Sequence, residues 1–141
     1  MRRTMEFGEI EQRLPAKQPG IYEIHTRSGI ALKVGISHDL RDRLLAHRES
    51  RQSALKLKPG GTWSNPDDVE SKKSILAKHL YFDSTISPAH DLTCQSGRRA
   101  FLSECCYIVV ENSASKDNVR EIEKRREASS GFRYVGHVLI R

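Results

Sequence analysis

Residues 20–37 read GIYEIHTRSGIALKVGIS, and this stretch decides the fold. Ile21, Tyr22 and Ile24 are strand formers, and Ile30, Leu32, Val34 and Ile36 alternate strictly. Between them, Arg27-Ser28-Gly29 reads as a turn in which Gly29 is free to take positive φ. The spacing predicts a β-hairpin from Ile21 to Ile36. A helix should follow at once. Ser37 or Asp39 can cap it, Leu40 and Leu44 mark its inner face, and it should run to about Arg51, before the loop at Pro59-Gly60-Gly61.

Two residues on that helix break the amphipathic pattern. Arg43 and His47 are four positions apart and share a face. His47 falls on the inner stripe beside Leu40 and Leu44, and Arg43 lies at its edge. Polar groups turned toward a sheet need partners or a ligand.

Downstream, residues 52–99 match no standard unit. One helix start stands out there. Ser64-Asn65-Pro66-Asp67-Asp68 supplies cap, proline and first-turn acids, and Val69, Ile75, Leu76 and Leu80 follow at helical spacing. Ser84 to Arg99 is polar and turn-rich. Glu104 and Glu111 bracket a strand, CCYIVV. A polar link from Ser113 to Asp117 leads to a helix from about Asn118 to Ala128, which Gly131 can end, and the tail Phe132 to Ile140 is strand-like. The order β-β-α, insertion, β-α, short strand predicts a single α/β domain over residues 1–141. It is an α+β sandwich with a small mixed sheet flanked by helices, and residues 52–99 are an insertion within it.

The later helix carries a second anomaly. Val119 and Ile122 define its inner face, and Glu123 lies on that face while Glu121 points away. A carboxylate there either pairs with Arg126 or Arg43, or binds a cation.

The chain has 24 Lys and Arg against 18 Asp and Glu, a net charge of +6, which favours phosphate-bearing partners. Arg41, Arg48, Arg51, Lys56 and Lys58 make the region after the hairpin positive and suit a nucleic-acid backbone, although a solvated helix face has the same composition. The longest apolar run, Cys105 to Val110, is too short to span a bilayer, and the N-terminal residues lack the apolar core of a secretory signal. The three cysteines form no spaced framework, so a reducing, cytoplasmic (intracellular) setting is expected. His79, His90, Cys94 and Cys105 match no standard zinc spacing. Trp63 reads as an apolar anchor.

Gly20-Ile21-Tyr22, then Lys33-Val34-Gly35-Ile36-Ser37, then Asp39-Leu40 and Arg43, resemble the signature of the GIY-YIG nuclease superfamily. The likeness covers Pro15 to Ser50 closely and Glu104 to Ser130 loosely. It implies a divalent-metal-dependent endonuclease that hydrolyses phosphodiester bonds in DNA, duplex or branched. Tyr22 is then the tyrosine of the first motif, and Lys33 stands at the tyrosine of the second, as in branches that write it Lys-Val-Gly. Arg43 is the helix arginine, and His47 stands where restriction-type members also have a histidine. Glu123 becomes the ligand of one Mg²⁺ or Mn²⁺ ion, and Tyr22 or Lys33 activates the water. The family's asparagine, about a dozen residues beyond the glutamate, is replaced by Val135. With that departure and Lys33, a catalytically inactive GIY-YIG-like nucleic-acid-binding module is the alternative. Oligomeric state stays open, a homodimer being one way to cut both strands.

Overall fold

The computed structural model describes residues 2–112, 116–129 and 131–141. Among them the strands are β1 (Arg2–Met5), β2 (Gly20–Thr26), β3 (Ala31–Ser37), β4 (Leu55–Leu57), β5 (Val69–Ser71) and β6 (Cys106–Asn112). The helices are α1 (Ile10–Arg13), α2 (Leu40–Glu49), α3 (Ile75–Tyr81), α4 (Gln95–Cys105) and α5 (Lys116–Ser129). Part of the expected polar link, Ser113 to Ser115, lies outside the described residues.

The fold is α+β, as the element order predicts. The main sheet has the order β1-β6-β2-β3, and β4 and β5 form a separate ribbon. All pairings are antiparallel, which corrects the expected mixed sheet. The mixed expectation fails because the link from β3 to β6 returns the chain against β2 instead of along it. One face of the sheet carries the larger core: Tyr22, Ile24, Leu32, Ile108 and Val110 pack with Leu40, Leu44, Leu76, Leu80 and Phe101. The other face carries Ile21, Val34, Val119 and Phe132, so α5 covers it.

The hairpin departs from strict alternation at one point. Ile24 stands opposite Lys33 but His25 opposite Ala31, so Leu32 is the extra residue of a β-bulge. Leu32 packs in the larger core while Val34 packs under α5. Lys33, opposite Ile24, lies with Tyr22 and Gly35 on the face toward α2. Close approach makes a glycine necessary at position 35, because a Cβ there would run into the Tyr22 ring.

The insertion differs most from expectation. Asn65 accepts the Asp67 N–H at 3.0 Å and Pro66 begins a helical turn, but the turn is a single 3₁₀ one, ending at Asp68. Val69 then pairs with Leu57 across the β4–β5 ribbon instead of extending a helix. The helix that holds Leu76 and Leu80 starts later, where the Ser74 hydroxyl accepts the Ala77 N–H at 3.2 Å. The polar stretch before Cys105 contains α4, whose buried stripe is Arg98, Phe101 and Leu102. Arg98, fully buried, hid that stripe from a hydrophobic reading. The strand-like tail forms no regular strand. Arg133 and Tyr134 donate N–H bonds of 2.9 and 2.8 Å to the Ala31 and Leu32 carbonyls, and the Asp83 carboxylate accepts from the Arg133 guanidinium and the Tyr134 hydroxyl.

Candidate active site at the hairpin edge

Tyr22 and His47 meet because β2 and α2 pack face to face. The Tyr22 hydroxyl lies 2.7 Å from His47 Nε2, and His47 Nδ1 lies 2.8 Å from the Ser74 hydroxyl. All three residues are buried, with exposures of 2%, 1% and 1%. Ser74 also accepts the Ala77 N–H. The neutral imidazole carries one proton, so either Ser74 donates to Nδ1 and Nε2–H donates to the Tyr22 oxygen, or Tyr22 donates to Nε2 and Nδ1–H donates to Ser74.

Burial holds the charges of this chain down. It pushes the His47 imidazole well below its ordinary value, with Lys33 and Arg43 acting in the same direction. The Tyr22 phenol is pushed up, again chiefly by burial, and Arg43 opposes that shift. His47 is a neutral ring, and Tyr22 is a reluctant acid.

Lys33 is half-buried, and its side chain has no hydrogen bond or ion pair among the described residues. Burial lowers its ammonium below the usual lysine range and Arg43 adds to this, while Glu127 and Glu123 act against it. Arg43 is exposed and donates to the Lys73 carbonyl at 3.2 Å.

Glu123 comes from α5, whose body covers the opposite face of the sheet. Its carboxylate is half-buried, and the Ile36 N–H of the edge strand β3 helps to hold its pKa down. Burial raises its pKa first and neighbouring Glu127 second, while Lys33 and Arg120 pull it down. Arg126 pairs with Glu23 and Glu111, and Arg43 is held by a carbonyl, so neither expected structural partner takes Glu123. A desolvated carboxylate beside a second carboxylate is a group that gains from a cation. No group of three or more His, Cys, Asp or Glu able to hold a metal occurs among the described residues, so an ion here would keep water and substrate oxygens as its other ligands.

Tyr22 and His47 thus meet directly, Lys33 shares their face of the hairpin, and Arg43 and Glu123 act on this group through space. The five basic residues scatter. Arg48 forks onto Glu11 at 2.7 and 2.8 Å and braces α2 against α1. Arg51, Lys56 and Lys58 are exposed, and Arg41 is half-buried. Sequence reasoning missed Ser74 and Glu127. Ser74 was legible as a cap three residues before Ala77, but the helix start assigned at Pro66 obscured it. Compared with protein-family models, with curated proteins and with solved structures, the chain matches none of them.

Proposed function

We propose that this chain is a divalent-metal-dependent endonuclease of the GIY-YIG type acting on DNA. The observation that carries the reading is the meeting of the first-motif tyrosine, the second-motif lysine and the helix arginine on one side of the hairpin, with Glu123 at its edge. Hydrolysis forms one P–O bond from water and breaks another. It needs a proton acceptor, a hold on the phosphoryl oxygens and help for the departing oxygen. Arg43 forks onto the non-bridging oxygens. The Tyr22 hydroxyl, hydrogen-bonded to His47 Nε2, helps to orient the attacking water. Lys33 takes the proton of the attacking water on Nζ, since burial favours its neutral amine and no carboxylate locks it as a cation. Glu123 would hold a Mg²⁺ or Mn²⁺ ion, which would supply Lewis-acid polarisation of the phosphate and charge for the leaving oxygen.

The test is cleavage of plasmid and branched DNA with Mg²⁺ or Mn²⁺, in the wild type and in Glu123→Gln. Cleavage should fall by about 10²-fold or more in the variant, with thermal midpoint and duplex affinity retained. Duplex binding by the wild type with no cleavage under either ion would make the chain the inactive binding module instead.

A further inference from the structure

A cleft of about 460 Å³ lies on the outward side of α2. Its walls carry Arg43, Arg51, Lys72 and Lys73, with Asp42 and Glu49 as the carboxylates. Glu49 is already taken by Arg48 and Arg99. Arg51, Lys72 and Lys73 are exposed and have no ion pair among the described residues. Four cations therefore face one uncommitted carboxylate.

The walls are tied together. The Lys72 N–H donates to the Ala54 carbonyl at 2.6 Å, and Arg43 donates to the Lys73 carbonyl, where the backbone is left-handed at φ 67°. The cations thus sit on fixed backbone from three segments: α2, the turn after it, and the link between β5 and α3. No aromatic ring lines the cleft, so it offers no platform for a base. Its chemistry is that of a phosphate track. Arg43 belongs to the track and also lies within electrostatic reach of Lys33 and Tyr22.

We infer that this cleft carries the phosphate backbone of the DNA strand leading away from the scissile phosphate, read by charge and not by sequence. The inference rests on the nuclease reading and assigns a role to the insertion, which the hairpin motifs leave without one. Arg43 is the junction at which the strand passes from the track into the site.

The experiment measures duplex binding by fluorescence anisotropy without divalent ions, between about 50 and 200 mM salt. Each of Arg51→Gln, Lys72→Gln and Lys73→Gln should weaken binding and reduce the slope of log affinity against log salt by about one, alike for unrelated sequences. Lys17→Gln, an exposed lysine outside the cleft, should leave the slope unchanged. If the wild type binds and cuts DNA while the three cleft variants keep the wild-type slope, the track is wrong and the nuclease reading stands. If the wild type binds no nucleic acid at any of these salt concentrations, the nuclease reading itself falls. If polyglutamate binds more tightly than the duplex and loses affinity in the same variants, the occupant is an acidic protein and the inference is overturned.

Discussion

At the scale of single residues, the site depends on protons that burial has confined. Lys33 is the sharpest case. If it accepts the water's proton, the rate must climb with pH as its ammonium deprotonates, in a limb lying below the ordinary lysine range because burial lowers the pKa. Lys33→Gln should erase that limb in a pH–rate profile, and added small amines should restore part of it. A limb that persists at reduced amplitude would place the base elsewhere. Ser74 acts through His47. Ser74→Ala removes the partner of Nδ1, leaves the imidazole free to change tautomer, and should cost about 1–3 kcal/mol of stability. ¹⁵N shifts of His47 would report the tautomer. Ser74→Thr keeps the hydroxyl and should restore both tautomer and rate, which a purely space-filling serine would not require.

At the scale of elements, the hairpin, α2, β6 and α5 were legible from the spacing and runs of their apolar residues, and α2 also from its Asp39 cap. Three features were not. The bulge at Leu32 leaves no mark on the alternation of Leu32, Val34 and Ile36, yet it turns Leu32 into the larger core beside Tyr22 and Ile24. The turn at Pro66 carries a strong helix signal that tertiary pairing of Val69 with Leu57 overrides. In α4 the residue heading the buried stripe is Arg98, and no hydrophobic count includes an arginine. Arg98 donates to the Ser50 carbonyl at 2.7 and 3.3 Å, to the Leu92 carbonyl at 3.1 Å and to Gln52 at 3.1 Å, with no carboxylate among these acceptors. It therefore satisfies the left-handed C-cap of α2 and locks α4 against it. Arg98→Met would fill much of the space but strand those carbonyls, and should cost about 3 kcal/mol in urea denaturation. A loss under about 0.5 kcal/mol, the range of ordinary surface changes, would refute the clamp. Of the site, Tyr22, Lys33, Arg43 and His47 could be chosen from motif and helical spacing. The contact of Ser74 with His47 could not, because it joins distant segments, whereas Glu127, four residues beyond Glu123 on one helix, follows from spacing alone.

At the scale of the whole molecule, two buried histidines set the acid limit. His79 stacks on Tyr134 and is held down to about 4, chiefly by burial, and His47 is also held well below its ordinary value. Both folded-state values lie below the unfolded value of about 6.5. The unfolded chain therefore binds more protons, and stability is lost as pH falls below that value. For His79 alone the loss approaches about 3 kcal/mol by pH 4. Asp83, held low by Arg133 and Tyr134 against the cost of its burial, gives up its share only at more acid pH, and Glu123, held high, works in the opposite sense. Urea midpoints should drop between pH 7 and pH 4.5, and His79→Phe should flatten the trend. Midpoints that hold constant over that interval would show that the two rings protonate freely in the folded state.

The place of β6 between β1 and β2 has a consequence for synthesis. The first strand and the hairpin leave the ribosome early, but the strand that joins them begins only at Cys106, roughly 70 residues after the hairpin ends. At translation rates of about 5–20 residues per second, several seconds pass in which both β1 and the inner edge of β2 await the same partner. During that interval the nascent hairpin exposes the backbone edge that β6 will later cover. A chaperone that captures stalled nascent chains of this protein should therefore hold those arrested before Cys106 and release those that extend past Asn112.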